Sequence, residues 1–237
     1  EKLICTPTGV IRDPNFFQNA KDIKAMTNTE AVSIDRKDKV VHYRNLHSKE
    51  EGTIRYDKLI ISTGARPRLP PVAGLDLDGI TTLQSMRDAD YLRAIRDEGK
   101  IQKAVVVGGG LIGIETCEAL NLAGIEITVV EMMPQILPFE DAEVVTHLQR
   151  SFKKSGIEIL TETKVEGLTK NARGVKVKVT GKDGKTSDLT SDIALMAVGF
   201  GGLLEGYGLE NVGVETERGF IKVDENYRTN IDGIYSI

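Results

Sequence analysis

Cysteine and histidine are both scarce in this chain of 237 residues. The two thiols, Cys5 and Cys117, are too few for a disulfide framework, and the expectation is a reducing, cytoplasmic setting. His42, His47 and His147 show no spacing for zinc or for the base of a nucleophile, so all three are expected at the surface or its boundary. Long apolar runs are also missing. No uncharged stretch approaches the ~18 residues a membrane helix needs, and residues 1–5 lack the basic and apolar parts of a signal peptide. Neither sign of charge dominates. With 31 Lys and Arg against 35 Asp and Glu the net charge is −4, which implies no nucleic-acid or acidic-substrate surface. No repeat or low-complexity tract occurs. The chain opens on Glu1 without an initiator Met and closes on the apolar run 233–237, so it is expected to be a fragment of a longer protein.

What is present is an ordered succession of patterns. Residues 25–61 read as short β segments (31–34, 39–44, 58–62) separated by the charged turns 35–38 and 48–52, as in an antiparallel meander. A Pro- and Gly-rich connector, 64–79, reads as a boundary. A helix is expected over 85–98, with Ser85 as N-cap, Asp88 as its capping-box partner, Ala89, Leu92 and Ile95 on one face, and Gly99 as terminator. The rhythm then becomes strand 103–107, helix 111–123, strand 125–130, with Gly110 and Gly124 as punctuation: a βαβ unit with a parallel sheet. A second cycle follows in helix 141–154 and strand 157–160. The period returns to two at 175–179, the turn 181–184 and strand 193–198.

Gly108-Gly-Gly110-Leu-Ile112-Gly113 fits G-x-G-x-x-G, follows a strand and opens a helix. An acidic residue, Glu131, closes the next strand 131 − 113 = 18 residues on, near the ~20 expected of a dinucleotide site. Gly108 permits the tight turn, Gly110 lets backbone amides approach a pyrophosphate, and Gly113 lets the helix pack on the sheet. The pyrophosphate sits on the positive end of the helix, and Glu131 can accept hydrogen bonds from a ribose diol. The expected cofactor is therefore NAD, with a 2′-phosphate disfavoured by the carboxylate. Cys117, two residues past Glu115, reads as a small packing residue. Met132 and Met133 read as a floor beneath the adenosine or as packing.

With these residues on the page, the chain resembles the pyridine nucleotide-disulfide oxidoreductase family. The run VVVGGGLIGIE at 105–115 is similar to that family's nucleotide-domain signature, IISTGARP at 60–67 to its A-T-G segment, AVG at 197–199 to its return crossing, and 228–237 to the approach to its second flavin motif. The resemblance implies a Rossmann-like α/β fold, a NAD-binding domain (84–205) inserted in a partial FAD-binding domain (1–83, returning at 206–237). It implies that Thr63 and Gly64 lie against FAD, that the backbone near Ala31 lies near its adenine, and that Gly199 stands at the nicotinamide end. Glu115 would stand by the flavin and nicotinamide as the catalytic candidate; on residue type alone it is an exposed early-turn glutamate favoured by the helix dipole. The opening stretch 6–14 with 65–71 looks most like the coenzyme A-disulfide reductase and NADH oxidase branch, whereas GLENVGV at 208–214 leans toward lipoamide dehydrogenase.

Several family features are missing: the first FAD fingerprint, the redox cysteine after it, the Gly-Asp of the second flavin motif and the dimerisation domain. After Gly199 stands Phe200-Gly-Gly202 where the family often has Arg and Pro-Asn. The resemblance implies an enzyme that uses FAD and NAD, passes electrons to a disulfide, a persulfide or dioxygen, takes a small-molecule or thiol substrate, and works as a homodimer in its full length. The rival readings are a ferredoxin- or rubredoxin-reductase-like flavoprotein and a non-catalytic NAD-binding module.

Overall fold

The structure is a computed structural model and describes residues 5–172 and 174–237. The chain divides into two compact units. One holds the described residues through Gly64 together with Gly202–Ile237, and the other is Ala65–Gly201.

The first unit begins with helix α1 (Pro14–Lys21), capped by Asp13, whose Oδ1 accepts the Phe16 N–H at 2.8 Å. Strands β1 (Thr29–Asp35), β2 (Val40–Asn45) and β3 (Glu51–Arg55) form an antiparallel meander. β3 starts inside the expected turn 48–52. It is mostly exposed and is held by backbone pairing, Val40 opposite Arg55 through Arg44 opposite Glu51, rather than by an apolar face. β1 carries a bulge between Ala31 and Ser33. β4 (Leu59–Ile61) completes this first pass.

In the second unit come β5 (Ala65–Pro67), β6 (Ile80–Thr81), α2 (Met86–Asp97), β7 (Lys103–Val107), α3 (Leu111–Leu122), β8 (Glu126–Val130), α4 (Ala142–Lys154) and β9 (Glu158–Leu160). They are followed by β10 (Lys164–Asn171), β11 (Gly174–Thr180), β12 (Thr186–Ser191), β13 (Ile193–Met196) and β14 (Phe200–Gly202), whose last residue already belongs to the first unit. A five-stranded sheet runs in the order β6-β13-β7-β8-β9, parallel throughout. β13 is apolar at all four positions and β7 from Ala104 to Val107, because both faces of these strands are covered. Ala104, Val106, Ile193 and Leu195 turn toward Leu92, Cys117 and Val145 on the helices. Their neighbours Val105, Val107, Ala194 and Met196 turn toward Val175, Val177 and Val179 on the antiparallel β10-β11-β12 layer. Ser85 and Asp88 form the full capping box of α2, with Asp88 Oδ2 accepting the Ser85 N–H at 2.9 Å. These backbone bonds hold the Asp88 carboxyl below its ordinary pKa.

The return to the first unit adds the short pair β15 (Thr216–Glu217) and β16 (Phe220–Ile221), then β17 (Ile234–Ser236), which lies parallel to β4. Ile34, Ile61, Tyr207, Leu209, Val212 and Ile234 make this unit's core. The units divide at 64/65 and 201/202, where the sequence placed divisions at 83/84 and 205/206. Val72, Leu75, Leu77 and Ile80 pack on the core of the second unit, so the Pro-rich connector belongs to that unit.

Candidate functional site

Strand β7 delivers the glycine turn to the carboxyl edge of the parallel sheet. Gly108 takes φ +106°, a conformation that favours glycine. A Cβ there would lie 2.3 Å from the Ala197 carbonyl oxygen, so β13 passes too close for any side chain. At Gly113 a Cβ would lie 2.0 Å from the Gly108 oxygen, which fixes the approach of α3 to the turn. Gly109, which the motif leaves unspecified, is just as constrained: its Cβ would meet Ile136 Cγ2 at 2.8 Å and Glu131 Oε2 at 3.2 Å.

Gly110 is different. It is the N-cap of α3, no side chain caps that helix, and nothing stands within 4 Å of a Cβ placed on it. The first-turn amides, those of Leu111, Ile112 and Gly113, have no acceptor within the helix. Open space above an uncapped helix N-terminus is the setting an anion needs, and a pyrophosphate fits it by charge and by shape.

Glu131 lies just past β8 and is 8% exposed. Its Oε2 accepts the Gly109 N–H at 2.6 Å and its Oε1 the Met133 N–H at 2.8 Å. A carboxylate has about four lone-pair sites, so each oxygen keeps capacity for a further donor such as a ribose hydroxyl. Gly108, Gly110, Ile112, Gly113 and Glu131 thus belong to one turn and the loop facing it. Met132 and Met133 are exposed, 64% and 43%, so neither is a packing residue of the core.

Glu115, on the exposed side of α3, lines a cleft of about 450 Å³ together with Leu83, Gln84, Arg93, Ile112 and Phe200. Most of the lining is apolar. Gly199, beside Phe200, takes φ +103°, has nothing within 4 Å of a Cβ, and accepts the Arg68 N–H at 2.8 Å. Sequence reasoning missed Gln84, Arg93 and Phe200 here, because their only signal is which strand end or helix face they occupy.

Thr63, Gly64 and Ala31 belong to the other unit. Thr63 is exposed, and its hydroxyl donates to the Leu203 oxygen at 2.9 Å; the Gly64 oxygen accepts the Leu203 N–H at 3.0 Å. Gly64 takes φ +76° with open space on its Cβ side. Ala31 is exposed at the bulge of β1.

Cys117 is fully buried in α3, and burial pushes its thiol up to about 12, so it is no thiolate nucleophile at neutral pH. The three histidines are exposed, and among the described residues no group of His, Cys, Asp and Glu could hold a metal ion. No described helix is long and apolar enough to cross a membrane.

Residues 6–237 match the family model described as pyridine nucleotide-disulphide oxidoreductase. A dihydrolipoyl dehydrogenase of Rhizobium etli is 38% identical over 189 residues, which are 80% of this chain and 38% of that protein. A NAD-dependent persulfide reductase from A. fulgidus superposes with a TM-score of 0.84 at 33% identity, covering 99% of this chain and 42% of its own. The reduced Bacillus anthracis CoADR-RHD gives 0.83 at 30% identity, covering 97% and 40%. The chain spans about two fifths of the length of these relatives. With residues 6–237 inside the family match, the chain belongs to the pyridine nucleotide-disulphide oxidoreductase family.

Proposed function

We propose that the chain is the nicotinamide-nucleotide half, with one edge of the flavin half, of a flavin-dependent oxidoreductase. That enzyme moves hydride from NADH to FAD and the electrons on to a disulfide, a persulfide or dioxygen. The observation that carries the reading is the contrast among the glycines. Gly108 and Gly113 are locked against protein backbone, while Gly110 faces empty space at an uncapped helix start.

On this reading the amides of the first α3 turn, at Leu111, Ile112 and Gly113, bind the pyrophosphate, and Glu131 accepts the ribose hydroxyls through the free lone pairs of its two oxygens. Glu115 and Gly199 stand at the nicotinamide end, where a glycine lets a flat ring approach the backbone and the apolar cleft excludes water. When bound, the flavin supplies the two-electron chemistry; the protein holds the two rings in contact and keeps solvent out. Thr63 and Gly64 would lie along FAD, and the exposed backbone at Ala31 near its adenine. The one G-x-G-x-x-G of this chain supports NAD binding, and FAD binding is supported only by Thr63, Gly64 and Ala31, since no second fingerprint occurs in this chain. The substrate is then a small molecule or a thiol, the full-length protein a homodimer, and its setting the cytoplasm.

The test is a calorimetric titration of this chain with NADH and with NADPH. Hydrogen bonds to a charged acceptor contribute about 1.5–3 kcal/mol, so NADH is expected to bind at least roughly tenfold more tightly. Equal affinities would refute the role of Glu131, and no binding of either nucleotide would refute the whole reading.

A further inference from the structure

We infer that Glu131 is a positioning residue for the phosphate-binding turn, beyond any contact with ribose. The inference rests on the nucleotide-binding reading above but adds a separate task for the same carboxylate. Glu131 is nine-tenths buried, and no ion pair with it occurs among the described residues. What it has instead are two backbone donors from two different loops: Gly109 at 2.6 Å and Met133 at 2.8 Å. Charge-assisted bonds of this kind are about twice as strong as neutral ones.

The surrounding backbone bonds show what the carboxylate joins. The Leu137 N–H donates to the Gly109 oxygen at 2.8 Å, so Gly109 is tied to the 131–137 segment from both of its polar groups. Ile136, fully buried, packs where a Cβ of Gly109 would stand. Glu131 itself is anchored in the sheet through its N–H to Leu160 and its oxygen to Thr163. Gly109 immediately precedes Gly110, the N-cap of α3. The carboxylate therefore fixes the peptide that aims the first helix amides, and it does so whether or not a ribose is present. The two amides sit on different oxygens, so a glutamine in the same place would turn its NH2 donor toward one of them.

It follows that nucleotide selectivity and nucleotide affinity are coupled at Glu131. Removing the carboxylate to admit a 2′-phosphate also loosens the turn that binds the pyrophosphate. The experiment compares the wild type with Glu131→Gln, using ADP and 2′,3′-dideoxy-ADP as probes and hydrogen exchange of the backbone amides in the ligand-free protein. The expected result is roughly tenfold faster exchange of the Gly109 amide in the variant, with affinity falling for the dideoxy probe as well as for ADP, and further for ADP, which also loses its diol contact. A fall confined to ADP, or an unchanged Gly109 amide in a folded variant, would overturn the inference and leave Glu131 as a reader of the diol alone. Glu131→Asp, with a shorter stem and the same charge, serves if the glutamine variant does not fold; retention of full Gly109 protection there would count against the inference, because the shorter carboxylate cannot span both amides. If the wild type binds neither probe, the nucleotide reading fails while the exchange measurement still decides the positioning role.

Discussion

Two single-methyl additions, Gly113→Ala and Gly110→Ala, should separate what the glycine turn does for the fold from what it does for a ligand. At Gly113 the new Cβ would stand 2.0 Å from the Gly108 oxygen. A tolerable C···O contact begins at roughly 3.3 Å, so helix and turn must part by roughly 1.3 Å. The carbonyl cannot easily retreat, because Gly108 is held through its N–H to Val130 at 2.8 Å and lies against Ala197. Helix propensity favours alanine by up to about 1 kcal/mol, whereas overpacking against a fixed group costs about 1–3 kcal/mol or more. The clash wins, with a net loss of about 2 kcal/mol and a fall in Tm of about 4–8 °C for a chain of this size.

At Gly110 the same methyl enters open space, and φ −75° with ψ −178° is extended backbone that alanine adopts freely. The stability loss should stay under about 1 kcal/mol, as for other exchanges at a helix start. Yet the methyl occupies the point a pyrophosphate must reach, so NADH affinity should fall at least roughly tenfold. Thermal melts and nucleotide titrations on the three proteins decide it. A Gly113→Ala protein that melts with the wild type, or a Gly110→Ala protein that binds NADH as the wild type does, would refute the reasoning.

Cys117 should resist iodoacetamide in the native protein at pH 8 and react once the chain is unfolded, since its thiol is pushed up to about 12 by burial. With its folded value above the unfolded one near 9.0, this group's contribution is complete below pH 9 and is lost as the pH rises toward about 12; native labelling at the unfolded rate would contradict this. Glu115→Gln, at an exposed position, should change stability by less than about 0.5 kcal/mol while slowing anaerobic flavin reduction by NADH in the flavin-loaded full-length protein. Unchanged reduction in stopped-flow absorbance would return Glu115 to a surface role.

The βαβ core of the parallel sheet was legible because burial on two faces makes β7 apolar from Ala104 to Val107, and because Gly99, Gly124 and Gly156, all at positive φ, punctuate the cycle. β13, read with the period-two strands, is instead buried at all four positions inside that parallel sheet. Other elements left no such mark. β10 buries only Val165 and Leu168, three residues apart, because a register shift between Val165 and Gly167 inserts one residue; a strand with a bulge loses its period of two. β3 has almost nothing buried, and α1 has the Asp13-Pro14 start signal but no buried residue to make an apolar stripe. The unit boundary moved because Val72, Leu75 and Leu77, apolar residues inside a stretch rich in Pro and Gly, find a core to pack on. Composition marked that stretch as a linker; three side chains override it.

The site divides along the same line. Its motif residues were legible, since a strand, a glycine turn and a helix must leave certain Cβ positions empty, and the spacing to Glu131 follows from the length of one βαβ cycle. The reasons behind each position were not. Gly109 looks redundant in the pattern, yet it is pressed between Ile136 and Glu131, and Glu131, readable as a ribose acceptor, is already bonded to two amides. Those donors are backbone groups, which every residue carries, so no residue type betrays them. A pattern of side chains can therefore announce that a dinucleotide site is present, but the hydrogen bonds that shape it run through the main chain. On the proposed reading one carboxylate would serve both ligand and turn, and a change of specificity at position 131 alone would then be a structural change as well, since Glu131 already holds the Gly109 and Met133 amides.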